Sequence, residues 1–141
     1  RRKVETMKRL LGVLAAAALL VPATQTKAAV EPDCLRFTAL ALEVGWAKRE
    51  IPRLMQICKR ESKGFARAWN QRDPYTGSYG IMQINGSNKR FLVESGIVRK
   101  AMTELWSPRK NLKASLALFK RHGWAPWKGN SAPKIVVPYT R

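Results

Sequence analysis

An apolar run near the amino terminus limits how much of this chain can belong to a folded domain. The run extends from Leu10 to Val21, follows a cluster of Lys and Arg, and is succeeded by several small residues. This order is typical of a secretory signal peptide. The run is shorter than the ~20 apolar residues that cross a bilayer. We therefore predict a signal peptide over residues 1–29 and one domain over residues 30–141, with room for one modest core.

Other interpretations of residues 1–29 remain open. They could form an amino-terminal helix of the fold or an uncleaved membrane anchor. Cleavage after Ala23, Ala28 or Ala29 fits the pattern equally well. If the segment is removed, we expect a secreted protein, in the extracellular space, the cell wall or the periplasm, with no membrane span after processing.

The domain predicted for residues 30–141 is strongly basic. Without residues 1–29 it keeps 21 Lys and Arg against eight Asp and Glu, a net charge near +13. Such a charge attracts polyanions. However, no nucleic-acid-binding module is recognisable, and the basic residues do not gather on one helix face as they do in membrane-surface helices. We expect a monomer that meets anionic cell-wall polymers and does not bind nucleic acid.

The sequence contains two cysteines, Cys34 and Cys58. In an oxidising compartment they could form a disulfide, worth roughly 3 kcal/mol of stability in the chain-entropy description. Two buried free thiols are the alternative. With one histidine, His122, and no Cys-x-x-Cys motif, the chain has too few ligands for a zinc site. We expect neither a metal nor a cofactor.

Four stretches have the periodicity and end signals of helices. They are residues 34–46, 52–62, 88–94 and 108–122. The apolar stripe predicted for the first comprises Leu35, Ala39, Leu42 and Trp46. Residues 68–87 are instead rich in Asn, Asp, Pro, Gly and Ser, with β-favouring residues between them, which predicts a small hairpin. The predicted class is α+β, mainly α, with a β-hairpin lobe after the second helix.

Glu61 stands out because of its position on the second predicted helix. Leu54 and Cys58 precede it by seven and three residues, so the three side chains share one apolar face. A carboxyl group withdrawn from water favours its neutral form, which is the form a general acid needs. The alternative is that Glu61 turns outward and pairs with Lys63 or Arg67.

Three motifs occur in order along the chain. They are Glu61-Ser62, Ser78-Tyr79-Gly80-Ile81-Met82-Gln83-Ile84-Asn85 and Ser107-Pro108-x-x-Asn111-Leu112. Together they resemble the core signature of the lysozyme-like superfamily, closest to the transglycosylase domain of soluble lytic transglycosylases, which is related to goose-type lysozyme. The resemblance covers residues 51–127. It implies a lysozyme-like fold and an enzyme that cleaves the β-1,4 bond between N-acetylmuramic acid and N-acetylglucosamine in peptidoglycan.

The resemblance also implies a role for individual residues. Glu61 would be the catalytic acid that protonates the glycosidic oxygen. The substrate-binding residues that it implies are Ser78, Tyr79, Gly80, Met82, Gln83 and Asn85. Among these, Gly80 would admit the sugar closely, Met82 would pack on it, and Gln83 would hold the helix and the lobe together.

The number of carboxylates decides the expected mechanism. Glycosidases usually need two, and in animal-type lysozymes the second directly precedes the Tyr-Gly of this motif. Here Ser78 stands at that place, and Asp73 is either a second carboxylate or a turn-capping residue. One glutamate without a partner is typical of lytic transglycosylases, whose substrate supplies the missing groups and leaves as a 1,6-anhydro sugar. Lytic transglycosylation is thus favoured, with a hydrolytic lysozyme or a non-catalytic peptidoglycan-binding module as alternatives.

The carboxyl-terminal part departs from the family. The usual Ala-Tyr-Asn-x-Gly motif is replaced by Gly-Trp-Ala-Pro-Trp at residues 123–127. Trp124 and Trp127 could stack on sugar rings or close the hydrophobic core. Tyr139 is a candidate replacement for the missing tyrosine.

Overall fold

The computed structural model describes residues 33–129 and 137–138. The signal peptide predicted over residues 1–29 and the role suggested for Tyr139 lie outside these residues and stay predictions. Within the described part of the chain, no helix has the length and apolar character needed to cross a membrane.

Four α-helices and a small antiparallel sheet make up the described residues. The helices are α1 (Thr38–Glu43), α2 (Ile51–Ser62), α3 (Lys89–Glu94) and α4 (Pro108–His122). The strands are β1 (Ala68–Asn70), β2 (Ser78–Tyr79), β3 (Ile84–Asn85) and β4 (Val137–Pro138), in the sheet order β3-β2-β1-β4. The predicted α+β architecture with a lobe after the second helix is confirmed.

The first predicted helix differs from the structure. This region forms a 3₁₀ turn over Cys34–Phe37 and continues as α1, which is only six residues long. In a 3₁₀ turn, residues three apart lie on the same side, so Cys34 and Phe37 are both buried. Leu35 and Leu42, predicted to face the core, are 65% and 43% exposed. Ala39 is also exposed, so the predicted stripe is wrong at three of its four positions.

Helix α2 is the element that carries the predicted acid. Pro52 lies in its first turn, where a missing N–H costs nothing. Its buried face holds Leu54, Met55 and Cys58, as the periodicity predicts. A disulfide joins Cys58 to Cys34, with an S–S distance of 2.02 Å, and so ties the 3₁₀ turn to the middle of the helix.

Helix α4 begins and ends at the predicted signals and packs at the centre of the domain. The N–H of Lys110 donates to the Ser107 hydroxyl at the start, and Gly123 follows the last turn. Asn111 and Leu112 have no exposed surface. The indole N–H of Trp46 donates to the carbonyl of Leu112 at 3.1 Å, which fixes α4 against the segment before α2.

Candidate active site

Glu61 lies at the carboxyl-terminal end of α2, on its buried face. The residue is only 3% exposed, in agreement with the periodicity that placed it beside Cys58. The helix ends at the next residue, Ser62, because Lys63 adopts a left-handed conformation, with φ 53°. The chain then turns into β1, so Glu61 sits at the junction between the helical part and the lobe.

The guanidinium of Arg60 holds the Glu61 carboxylate in place. Arg60 Nη2 and Nε donate to Glu61 Oε1 at 2.7 Å and 3.1 Å, and Nη2 also donates to the carbonyl of Trp127 at 2.5 Å. Helical periodicity does not predict this contact, because the side chains of adjacent helix residues point about 100° apart. The long side chain of Arg60 reaches Glu61 in spite of this angle. The bond to Trp127 links Glu61 to the turn after α4.

Gly80 lies in the segment that joins β2 and β3, and the structure gives it a role other than the predicted one. Its φ is +74°, and a Cβ built on it would lie 2.2 Å from Asn111 Nδ2 and 2.3 Å from the carbonyl oxygen of Leu105. The missing side chain therefore admits the amide of a buried asparagine. The predicted close approach of a sugar to Gly80 stays a prediction.

Asn111 clamps the lobe to the start of α4. Its Nδ2 donates to the carbonyls of Tyr79 and Leu105 at 2.9 Å and 3.0 Å, and its Oδ1 accepts from the N–H of Met82 at 2.9 Å. All of these groups are buried, so each bond would be costly to break. The motif Ser107-Pro108-x-x-Asn111-Leu112 therefore has a structural role, because its Asn111 joins the lobe to α4.

Met82 and Tyr79 are two predicted substrate-binding residues that do not line the pocket of about 190 Å³ to which Ser78, Gln83 and Asn85 contribute. Met82 has no exposed surface and packs in the core, so the predicted packing of its side chain on a sugar is not supported. Tyr79 stacks on Trp69 at 5.8 Å between ring centroids and donates its hydroxyl hydrogen to the carbonyl of Thr76. Because successive strand residues point to opposite faces, Tyr79 points away from the side of Ser78.

A pocket of about 190 Å³ collects most of the remaining predicted residues. We call it the polar pocket. Its described lining comprises Asp73, Ser78, Gln83, Ile84, Asn85, Asn88, Leu118, Pro126 and Trp127. Glu61 is not among these residues. It is connected to the pocket wall through Arg60 and Trp127, whose indole N–H donates to the Met82 carbonyl at 2.9 Å.

Gln83 brings an acceptor to the polar pocket. Its Nε2 donates to the carbonyls of Ala68 and Gly80 at 3.2 Å and 2.9 Å, which joins β1 to the β2–β3 segment. Both bonds lie within the lobe and are not the predicted link between the helix and the lobe. Its Oε1 is buried and has no hydrogen-bond partner among the described residues. A buried amide oxygen in this state favours a ligand that can donate a hydrogen bond.

Asp73, Ser78 and Asn85 form a chain of hydrogen bonds along one wall of the polar pocket. Asn85 Nδ2 donates to Ser78 Oγ at 3.3 Å, and Ser78 Oγ donates to Asp73 Oδ2 at 2.6 Å. Asn85 Nδ2 also donates to the carbonyls of Pro74 and Gly77, which fixes the turn that carries Asp73. The turn therefore places the carboxylate of Asp73 beside the position at which animal-type lysozymes have theirs.

Trp124 belongs to an aromatic cluster as well as to the surface. Its ring stacks on Trp46 at 5.4 Å and contacts Phe119 at 4.6 Å and Trp127 at 5.9 Å between centroids. It is half-buried and lines a second pocket with Arg53, whose guanidinium lies 5.2 Å from the Trp124 ring centroid. The cluster agrees with closure of the core by Trp124, and stacking of Trp124 on a sugar stays a prediction.

The described residues contain no group of His, Cys, Asp and Glu arranged to hold a metal ion. What they do contain is a nearly buried glutamate at a helix end, linked through Arg60 and Trp127 to the wall of a polar pocket, in an α+β lysozyme-like domain. This arrangement defines a candidate glycan-cleaving domain.

Comparison with known families agrees with this class. The family model described as the transglycosylase SLT domain matches residues 46–126. The chain therefore belongs to the transglycosylase SLT domain family, and this membership supports a peptidoglycan transglycosylase-type activity at the level of the family. No curated protein and no solved structure matches the chain.

Proposed function

We propose that this protein cleaves the β-1,4 bond between N-acetylmuramic acid and N-acetylglucosamine in peptidoglycan, with 1,6-anhydro products. The observation that carries the proposal is the position of Glu61, 3% exposed at the end of α2 within the region that matches the SLT domain. A carboxyl group held at this junction between the helices and the lobe can act as a general acid toward a bound glycan.

The reaction needs one protein carboxyl group. Glu61 gives its proton to the glycosidic oxygen, and the N-acetylglucosamine part leaves with a free 4-hydroxyl. The N-acetyl oxygen of N-acetylmuramic acid bonds to C1 as the glycosidic bond breaks. The carboxylate of Glu61 then takes the proton of the 6-hydroxyl, whose oxygen displaces the N-acetyl oxygen at C1. No water is consumed, and Glu61 ends in its starting form.

The polar pocket supplies groups that suit an N-acetylated sugar. Gln83 Oε1 can accept a hydrogen bond from an amide N–H or a hydroxyl group, and Asn88 adds a second amide on the same wall. Leu118 and Trp127 give the pocket apolar surface. Apolar walls with a few placed polar groups are what a saccharide site requires. Arg60 keeps the carboxylate of Glu61 in one position for the two proton transfers.

One observation favours hydrolysis as a second candidate function. The carboxylate of Asp73 lies beside Ser78 and lines the polar pocket. There it could activate a water molecule or stabilise the positive charge that develops at the sugar. The products separate the two reactions, because hydrolysis adds one water and leaves a reducing end.

The test is mass spectrometry of peptidoglycan fragments released by the purified domain. Transglycosylation predicts muropeptides that are lighter by one water than those released by a muramidase from the same strands. Reducing ends in most products would establish the hydrolytic alternative. If neither product is released while the protein still sediments with peptidoglycan, the chain is a non-catalytic binding module.

We also propose that the protein acts outside the cytoplasm, as a secreted protein. The basic and apolar pattern of residues 1–29 and the disulfide between Cys34 and Cys58 support this. Disulfides persist in oxidising compartments, which is also where peptidoglycan is found.

A further inference from the structure

A second pocket, of about 310 Å³, shares Trp127 with the polar pocket. We call it the basic pocket. Its cationic residues are Arg53, Arg60 and Lys128. None of the described residues that line it is acidic. Glu61 pairs with Arg60, and the charges of Arg53 and Lys128 leave the pocket with a net positive charge that attracts an anion.

The cations are held by aromatic and backbone groups. The guanidinium of Arg53 lies 5.2 Å from the ring centroid of Trp124, a cation–π geometry that limits its movement. Arg60 is fixed by its bonds to Glu61 and to the carbonyl of Trp127. Those bonds use Nε and Nη2, and Nη1 donates to none of the described residues. A guanidinium has five N–H donors, so Arg60 keeps donors for a ligand.

Arg60 connects the basic pocket to the candidate acid. One guanidinium contacts the carboxylate of Glu61 and also lines the basic pocket. An anion bound by Arg60 therefore lies within a few ångströms of Glu61. In a peptidoglycan strand, the group at that distance from the glycosidic oxygen is the lactyl ether on N-acetylmuramic acid, or the first residues of the peptide attached to it. N-acetylglucosamine has no such group.

We propose that the basic pocket binds a carboxylate carried by the N-acetylmuramic acid unit, and thereby selects which of the two alternating bonds of the strand reaches Glu61. This inference rests on the proposed function. The carboxylate is either that of the free lactyl group in a strand without peptide, or one on the stem peptide. Trp124 and Trp127 provide apolar surface for the atoms that connect the carboxylate to the sugar.

The experiment compares three substrates and two variants. The substrates are intact glycan strands with stem peptides, strands stripped of peptide that carry free lactyl carboxylates, and stripped strands whose carboxylates have been converted to methylamides. The test variant is the double substitution Arg53→Gln and Lys128→Gln. Both side chains are exposed, so the protein should keep its fold, which circular dichroism checks. The matched control is Lys59→Gln, an exposed lysine on α2 outside both pockets.

We expect KM for at least one carboxylate-bearing substrate to be ~10-fold lower than for the methylamide strands in the parent protein. The double variant should remove that ~10-fold difference, because it loses two exposed charge-assisted contacts to the carboxylate. It should change kcat by less than ~2-fold, because neither residue contacts Glu61. An effect on stripped strands identifies the lactyl carboxylate, and an effect on intact strands alone identifies the peptide.

Equal KM values for charged and methylamide strands, or a double variant that behaves like Lys59→Gln, would overturn the proposal. Sedimentation of each protein with the three kinds of strand gives a readout that does not need turnover. If no substrate is cleaved but sedimentation with charged strands depends on Arg53 and Lys128, the proposed function fails and the basic pocket stands. If all three substrates are cleaved with equal KM, the proposed function stands and the proposal for the basic pocket fails.

Discussion

The hydroxyl group of Ser78 donates a 2.6 Å hydrogen bond to the carboxylate of Asp73. This contact spans the turn between β1 and β2 and is supported by Asn85, which donates to both the turn and Ser78. The short distance keeps one carboxylate oxygen of Asp73 occupied. It also brings a carboxylate to the wall of the polar pocket, which is consistent with either of the two roles that the sequence left open for Asp73.

The first prediction uses this pair to separate the two mechanisms. If the substrate's own N-acetyl group stabilises the developing charge, Asp73→Asn should reduce kcat by less than ~10-fold, because the amide oxygen can still accept from Ser78. If Asp73 activates water, the loss should be ~10²-fold or more. We expect the smaller loss. A large loss in a variant whose circular dichroism spectrum is unchanged would establish hydrolysis with Asp73 as base.

The second prediction concerns the acid itself. Glu61→Gln keeps the shape of the side chain and an oxygen that can accept from Arg60, but it has no proton to give. Turnover should fall by at least ~10²-fold, while binding to peptidoglycan is kept. The measurement is the rate of muropeptide release at equal protein concentration. Near-normal release by a folded Glu61→Gln protein would show that another group is the acid.

The third prediction tests the role that the structure gives to Gly80. A methyl group there would meet Asn111 and Leu105, so Gly80→Ala should lower the free energy of unfolding by ~1–3 kcal/mol for overpacking, besides ~1–2 kcal/mol for the positive φ. The matched control is Gly96→Ala. Gly96 has φ +72°, against +74° for Gly80, and nothing within 4 Å of its Cβ position.

The difference between these two variants therefore measures the steric effect alone. Urea unfolding at one pH gives both values. Equal destabilisation would show that Asn111 moves away at little cost. If Gly80→Ala has the same free energy of unfolding as the parent protein but no longer cleaves glycan, the sequence-based prediction that Gly80 contacts the sugar is correct.

Local patterns in the sequence predicted much of the scaffold. The burial of Glu61, the ends of α4 and the lobe over residues 68–87 all follow from periodicity and from turn chemistry. The contacts that shape the site do not. Gly80 contacts Asn111, which lies 31 positions further along the sequence, and Arg60 bonds to Trp127, which lies 67 positions further along. Such contacts depend on how the elements pack, and local periodicity carries no information about that.

The error at Leu35 has a similar origin. An apolar period of about 3.6 residues over residues 34–46 favours a helix, but the disulfide between Cys34 and Cys58 holds the first residues of this segment against α2. A 3₁₀ turn then sets which side chains face inward, and Leu35 is left exposed. The covalent bond overrides the amphipathic pattern at this end.

The fourth prediction concerns the disulfide. A thiol titration of the denatured, unreduced protein should find no free thiol. Reduction, or Cys34→Ala together with Cys58→Ala, should lower the free energy of unfolding by roughly 3 kcal/mol, because the unfolded chain regains the freedom that the loop removes. Two reactive thiols in the unreduced protein would show that the bridge is absent.

The last prediction follows from the electrostatics of Glu104, in the 3₁₀ turn Met102–Trp106. An ion pair with Lys110 and the backbone N–H groups of Lys100, Ala101 and Arg99 lower the pKa of Glu104 from 4.5 to about 2. A folded-state pKa below the unfolded one means that the stabilisation is complete above pH 4.5 and is lost as the pH falls toward 2.

Glu104→Gln should therefore lower Tm at pH 7, and the difference from the parent protein should shrink steadily between pH 4.5 and pH 2. The matched control is Glu94→Gln, which removes an exposed i,i+4 ion pair with Arg90 on α3. It should change stability at pH 7 by only ~0.3–0.5 kcal/mol. Calorimetric scans of the three proteins at several pH values measure this. If the Tm difference for Glu104→Gln stays the same at pH 2.5 as at pH 7, the carboxylate does not hold the loop before α4, and the contact with Lys110 contributes nothing to folding.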